Sequence, residues 1–401
     1  HLIVRRLITN PIVLGNIFSG VLVVMLVAYV AAMLAVRSLS MRTIAIAVVA
    51  LNLILLLSPP MQLTDLFNYL GYARLGALHH LNPYHHVIGQ EMFDPVSMFA
   101  SWHNLSSPYG WLFTALTYPL AFLPLVVAYW VLKVVTVAIG LAFVALVWAC
   151  ARRLGRDPRF AVAFVALNPI YIIYAVAGFH NDFFMLAPML AAVALTLAGR
   201  DRSAGAILIV AVAVKFTAIL LLPFLLVAAR TRPRRTRVLV GAAAAAVPLA
   251  VISVGLFGLA IPNLAQQSAV LTAFSIPNLF GVLLHIGGAT PDLLRLAEVC
   301  VVAVIAHQFF TSRDWLAGAG WAMLALIASL GWLVPWYVVW LLPLAALGSS
   351  LRLRRLAMVL TVFLLLTFMP VTPVYMSKHN INLLDTHAGR TATALQNRLA
   401  Q

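Results

Sequence analysis

Residues 126–150 read VVAYWVLKVVTVAIGLAFVALVWAC, a run of 25 residues that is apolar almost throughout. A bilayer core is crossed by roughly 20 mostly apolar residues when they coil into a helix. The run is continuous rather than alternating, and in hydrocarbon a helix satisfies its own backbone, so a membrane-spanning helix is the reading. Working outward, comparable runs lie at 12–36, 43–58, 160–178, 183–199, 237–258, 292–311, 316–333, 334–350 and 356–374, which makes ten expected spans. The composition agrees: of 401 residues, 64% are hydrophobic and 9% charged, with a mean hydropathy of +1.03. A water-soluble domain is excluded. Cys150 and Cys300 both sit inside apolar runs, which leaves neither a disulfide framework nor a CxxC metal site.

Lys plus Arg outnumber Asp plus Glu by 26 to 10. In a polar protein this excess would suggest nucleic acid; here the basic residues fall in short gaps between apolar runs, which is the signature of membrane topology. Arg37/Arg42, Arg152/Arg153/Arg156/Arg159, Arg200/Arg202, the run from Arg230 to Arg237, Arg313 and Arg352/Arg354/Arg355 hold 17 of the 26. If short loops rich in Lys and Arg stay cytoplasmic, then the 59–110 loop, the 179–182 connection, the 259–291 loop and the C-terminal tail face outside. Two segments break simple alternation. The 203–229 run has basic residues at both ends and Lys215 in the middle, so it is expected to enter and return as two half-length helices. The 111–123 run, bounded by Pro119 and Pro124, is expected to be shallow or re-entrant. The chain opens at His1 rather than Met, and native sequence ahead of it is expected. Arg5 and Arg6, left outside by this topology, would belong to a missing span or a surface helix. Residues 1–374 read as one transmembrane domain without internal repeats, and 375–401 as a polar tail, partly disordered.

A count of carboxylates narrows the search for chemistry. Asp157, Asp201 and Asp314 lie in basic loops, where charge balance explains them. Asp65, Glu91, Asp94, Asp182, Asp292, Glu298 and Asp385 fall on or near the outer side. Asp65 stands in Gln62-Leu63-Thr64-Asp65-Leu66-Phe67-Asn68-Tyr69, ahead of Tyr72 and Arg74, and helical spacing brings Asp65, Tyr69 and Tyr72 near one face. Such a carboxylate can meet a sugar hydroxyl while aromatic faces hold the ring; equally, Thr64 or Asp65 can cap a helix continuing to Leu78. His180-Asn181-Asp182, after Gly178-Phe179, fits a polar turn capping the next helix, or a second part of the same outer site.

The remaining polar residues have plainer readings. His79, His80, His85, His86 and His103 crowd the outer loop, but adjacent histidines point apart and no HExxH spacing appears, so no metal is expected. Met92, Phe93, Val96, Met98, Phe99 and Trp102 are spaced as in an interfacial helix. Lys215 would cost about 2.5–3.5 kcal/mol facing lipid, so it is expected at the turn between half-helices, in a structural or lipid-phosphate role. Arg295, Lys378 and His379 are further outer-side candidates for a lipid phosphate. Trp332, Trp336, Tyr337 and Trp340 read as an interfacial aromatic belt in preference to a sugar platform. No GxGxxG, Walker loop or DxD pair occurs, which disfavours nucleotide chemistry.

In order, Thr64-Asp65-Leu66-Phe67-Asn68-Tyr69, Gly76, Leu81-Asn82-Pro83-Tyr84, Trp102-His103, Ser107-Pro108-Tyr109-Gly110, His180-Asn181-Asp182 and Val334-Pro335-Trp336-Tyr337 resemble actinobacterial polyprenyl-phosphate-mannose-dependent mannosyltransferases of the GT-C superfamily. The resemblance covers most of residues 59–350. It implies an all-α polytopic membrane fold of about 10–13 transmembrane or re-entrant helices, with a large first extracytoplasmic loop carrying the catalytic carboxylate, Asp65. It also implies mannose moved with inversion from a polyprenyl-phosphate co-substrate to a glycan or glycolipid acceptor, outside a bacterial plasma membrane, with no cofactor. The residues it marks for substrate are Tyr69, Arg74, Asn82, Tyr84, His103, Tyr109, His180, Asn181 and Asp182. Thr64 stands where many GT-C enzymes have a second acid, so a carboxylate pair would need Asp182, and Trp111 stands where relatives often have Pro. A transporter or flippase of lipid-linked sugars is the rival reading, because broken helices and ionisable groups in the membrane suit it too.

Overall fold

The computed structural model describes residues 10–61, 65–263, 266 and 269–401. Its helices, in chain order, are α1 (Pro11–Leu34), α2 (Met41–Leu57), α3 (Asp65–Ala77), α4 (Trp111–Ala121), α5 (Leu125–Arg153), α6 (Pro158–Ala166), α7 (Asp182–Leu197), α8 (Asp201–Val214), α9 (Leu222–Ala228), α10 (Arg232–Phe257), α11 (Ile276–Leu283), α12 (Pro291–Thr311), α13 (Trp315–Ser329), α14 (Val338–Leu347), α15 (Leu351–Thr367), α16 (Val371–Lys378) and α17 (His387–Ala400). No strand occurs among the described residues. The protein is an all-α, polytopic membrane protein. Many helices start where short polar side chains take up their first free amides: Asn10, Ser40, Asp157, Thr290, Asp314, Ser350 and Thr386 each accept from a backbone N–H of the following turn.

Each of the ten expected spans is a helical element, yet their lengths differ. α1, α5, α10 and α12 are long and apolar enough to cross alone. α6 with the π-helical turn Ile170–Val176, and α15 with α16, qualify as pairs bent by 53° and 63°. Proline explains both bends, since Pro169 and Pro370 lie at the breaks and offer no N–H to the preceding turn. α2, α7, α13 and the Pro335–Leu347 stretch are shorter apolar helices, and α4, with 11 residues, spans only about 16 Å, as expected for a shallow element.

The arginine loops converge on one face. Arg159 donates to the Arg37 carbonyl at 3.0 Å, Arg156 pairs with Asp314 at 3.5 Å, and Arg354 lies over the Phe160 ring at 5.1 Å. Arg153 donates to the Ala194 carbonyl at 2.7 Å, bringing the ends of α5 and α7 together on that face. Asp157, Asp201 and Asp314 all balance arginines there, as expected. The expected half-helices are α8 and the stretch Phe216–Ala228. Asp201, which opens α8, pairs at 2.8 Å with Arg234 in the first turn of α10, the helix that follows the returning stretch, and the excursion breaks at Lys215, whose backbone is extended at φ −154° and ψ 117°. The excursion therefore leaves the basic face, turns at Lys215 and comes back.

One expectation fails outright. The C-terminal tail is not disordered: α17 lies on the loop between α3 and α4, where Asn104 N–H donates to the Leu399 carbonyl at 2.9 Å and Leu399 is buried with Leu105 and Val270. A tail with few apolar residues folds because Leu395, Leu399 and Ala392 share one helical face, the two leucines packed with Leu105 and Trp102 of this loop and Ala392 with Leu271 and Ala289. The stretch 91–104 is not one interfacial helix either; it holds short 3-10 turns at Ile88–Glu91 and Ser97–Phe99, from which Met92, Phe93 and Met98 project exposed.

Candidate active site

At the end of the bundle away from the arginines, two chain segments meet. Met61 N–H donates to the Ala177 carbonyl at 2.9 Å, joining the stretch that leads to Asp65 with the turn that leads to His180. Asp65 opens α3, but no backbone N–H among the described residues bonds its carboxylate. Its neighbour is instead His180, whose Nδ1 lies 3.2 Å from Asp65 Oδ2. Thr64, the other capping candidate, and Gln62, Leu63, Arg5 and Arg6 lie outside the described residues.

The turn is shaped for this meeting. Phe179 has φ +52°, a left-handed conformation uncommon for a residue with a Cβ, and a Cβ on Gly178 would run into the His180 ring and the Tyr174 carbonyl. A π-helical turn immediately before it, Ile170–Val176, swings the chain round. His180 is buried and stacks face to face on Trp336, ring centroids 3.8 Å apart and planes 15° off parallel. Asn181 uses its backbone N–H to donate to Tyr69 OH at 3.1 Å, and its side chain does not cap α7.

Asp182 begins α7, and it too serves something other than a cap. Its Oδ1 accepts from Lys215 Nζ at 2.8 Å and from Trp340 Nε1 at 2.6 Å. Lys215 also sits 4.7 Å above the Trp340 ring and 5.2 Å from that of Tyr337. His180-Asn181-Asp182 is a turn, as one reading expected, but its side chains do not cap α7; the belt reading is corrected for Trp336 and Trp340, which are buried against these residues because they stack on or donate to their polar groups. Two buried atoms here have no partner among the described residues: His180 Nε2 and Asp182 Oδ2. A buried polar atom left unpaired costs about 1–3 kcal/mol, which makes both chemically able to take up a polar ligand. Asp65 and Lys215 are the partly open members of the group, with side chains 12% and 24% exposed.

Tyr69 lies between the two carboxylates. Burial, then the nearby Asp65 and Asp182 charges, hold its phenol well above its ordinary range against the bond from Asn181, so it stays a neutral phenol that accepts the Asn181 N–H. Edge-on packing against Tyr109 and Phe113, at 4.8 Å each, fixes its ring.

The other marked residues are used differently. Arg74 is held by Asp94 at 2.8 Å and by the Ala121 carbonyl, Asn82 by the Phe257 carbonyl and Tyr84 N–H, and Tyr84 OH by the Tyr109 carbonyl. His103 bridges the Ser97 and Ala400 carbonyls. All four fasten the loop around the site. Arg295 is exposed and paired with Asp292, while His379 stacks on Tyr375 next to exposed Lys378; no contact among the described residues links these three to Asp65 or Asp182. Among the described residues no three His, Cys, Asp or Glu side chains gather to hold a metal. Two apolar cavities of about 660 and 540 Å³ lie between α5, α7, α8 and α10 beside Arg153 and Arg202, and neither includes Asp65. Unmarked by the sequence reading was Lys133, wholly buried in α5; a lone cation inside an apolar run was its only signal.

Fold and site together define a polytopic membrane protein with two carboxylates, Asp65 beside His180 and Asp182 beside Lys215, at the end of the bundle away from the arginine loops. The model for the alpha-(1->6)-mannopyranosyltransferase family (MptA_B family), N-terminal domain, matches residues 5–232, more than half of the chain, and the chain belongs to that family. Alpha-(1->6)-mannopyranosyltransferase A of Mycobacterium tuberculosis is 29% identical over 353 residues, covering 75% of this chain and 64% of that protein. A second alpha-(1->6)-mannopyranosyltransferase of the same organism is 32% identical over 158 residues, covering 37% and 26%. Alpha-(1->6)-mannopyranosyltransferase A of Corynebacterium glutamicum is 31% identical over 130 residues, covering 31% and 26%. The chain thus spans less than two thirds of these relatives' lengths. No solved structure matches it.

Proposed function

We propose that this protein transfers a mannosyl unit from a polyprenyl-phosphate donor to a glycan or glycolipid acceptor, with inversion, on the outer face of the plasma membrane. An alpha-(1->6) linkage is taken from the names of the relatives. The observation that carries the reading is the pairing of Asp65 with His180 and of Asp182 with Lys215, at the end of the bundle away from the arginines, with His180 Nε2 and Asp182 Oδ2 still open. Since arginine-rich short loops stay cytoplasmic, that end is the outer one. Cytoplasmic nucleotides are absent there, which suits a lipid-borne donor.

The acceptor hydroxyl attacks the anomeric carbon while Asp65 takes its proton. The bond from that carbon to the phosphate oxygen breaks on the opposite face, and the electron pair leaves with the polyprenyl phosphate. General-base assistance of this kind contributes about 10²–10⁴-fold. Lys215, free to turn from Asp182, balances charge growing on the leaving phosphate, a role the exposed Arg295, Lys378 and His379 are poorly placed to share. Asp182 Oδ2 and His180 Nε2 receive sugar hydroxyls.

The test supplies the purified chain in liposomes with radiolabelled polyprenyl-phosphate mannose and a short mannoside. Transfer by the wild type and its loss in Asp65→Asn are expected; equal transfer by the variant removes Asp65 from the role. Movement of the lipid-linked sugar across the bilayer without product would instead favour a flippase.

A further inference from the structure

We propose that Lys133 is a positioning residue, a cationic clamp that holds the segment bearing Asp65 against the turn bearing His180; its kinetic consequence rests on the mannosyl-transfer reading. Lys133 lies two turns into α5 and is 0% exposed. Its ammonium donates to the Ser58 carbonyl and, at 3.2 Å, to Tyr129 OH. Three rings surround it: Trp130 at 4.5 Å, Phe179 at 4.6 Å and Tyr129 at 4.9 Å. No carboxylate pairs with it, although every Asp and Glu of the chain is among the described residues. A lysine is an expensive way to fill space inside an apolar helix, where Leu or Met would pack more cheaply, so the charge itself has a task.

What the ammonium touches defines that task. Ser58 closes α2 and begins the short run through Pro59 and Pro60 towards Asp65. Phe179 is the left-handed residue directly before His180. One ammonium group therefore reaches both segments by a charge-assisted hydrogen bond on one side and a cation–π contact on the other. Among the described residues the Met61–Ala177 backbone bond adds to this tie, and the Asn181–Tyr69 bond joins the same turn to α3. The 3.2 Å separation of Asp65 and His180 depends on how these two segments sit, and Lys133 sets it.

The experiment compares Lys133→Met, Lys133→Arg and the double variant Lys133→Met/His180→Ala in the full chain. Lys133→Met is expected to lower kcat about 10- to 100-fold with KM for donor and acceptor within about twofold, the scale of a small misplacement of reacting groups. Lys133→Arg should recover most of that loss. Adding Lys133→Met to His180→Ala should cost nothing further, because both act through one contact. Hydrogen–deuterium exchange supplies a readout that needs no activity: the amides of Met61 and Asn181 should exchange at least about tenfold faster in Lys133→Met, with α7, α8 and α10 unchanged. Wild-type exchange at those two amides, multiplicative losses in the double variant, or a rise in exchange throughout the bundle would each overturn the clamp. If the wild type transfers no sugar, the mannosyl-transfer reading fails while the exchange result still decides the clamp.

Discussion

Asp94 and Asp182 are both buried carboxylates paired with a cation at the end of the bundle away from the arginine loops, and they are treated in opposite ways. Asp94 has its valences filled: Arg74 Nε reaches both oxygens, at 2.8 and 2.9 Å, Val96 N–H donates to Oδ1, and His79 Nε2 lies 2.9 Å from Oδ2. Asp182 receives Lys215 and Trp340 on one oxygen and, among the described residues, nothing on the other. Arg74 presents a planar fork suited to a permanent grip, whereas Lys215 is a point charge on a flexible stem that can leave. The difference teaches how to tell a carboxylate that builds the fold from one held ready for a ligand, namely by its unused lone pairs rather than by its burial.

That contrast can be broken experimentally, and the largest expected effect belongs to the site. Asp65→Asn should cut transfer by about 10²–10⁴-fold while leaving the unfolding temperature in detergent within a degree or two; a matching loss of stability would put Asp65 with Asp94. Asp182→Asn and Lys215→Met should each lower transfer by about 10–100-fold, measured under saturating acceptor, and the two together should lose less than the product of their separate effects because they share one contact. Asp94→Asn should do the reverse: activity per folded molecule near wild type, and a destabilisation of about 1–3 kcal/mol in denaturant titration, because Arg74 and His79 lose their acceptor.

The pH dependence of the loop sharpens the same point. Burial alone would raise Asp94, but the bonds from Arg74, His79 and Val96 outweigh it and hold its carboxyl below the ordinary carboxylate range. Its folded value thus lies under its unfolded one, near 3.9, so its contribution is complete above that pH and disappears as pH falls through the folded value. Resistance of the 65–110 loop to pepsin should therefore hold down to about pH 4 and give way only below it. The smallest effect is expected from Trp336→Phe, which keeps a ring under His180 and should reduce transfer no more than about threefold.

Much of the fold is legible in the linear pattern because hydrocarbon enforces it: long apolar runs must coil, and arginines in short loops must stay together. Both rules act locally, which is why the Lys215 turn and the shallow α4 can be read from sequence. Site geometry is less accessible. Asp65 and His180-Asn181-Asp182 stand out through their polarity at span ends, but the Trp336 stack and the Trp340 bond are contacts across more than 150 positions, and Trp at a span end is ordinarily an interfacial anchor. Lys133 escaped because its partners are a main-chain carbonyl and rings, which no charge pattern announces. The tail misled for a similar reason: its apolar face is narrow and its cover is remote.

The contact of α17 with the first loop joins His103 to Ala400, 297 positions apart. During synthesis the loop emerges long before its cover exists. The surroundings of Asp65 are therefore made early and α17 late, so the loop's full packing has to wait until that helix has been made and has docked.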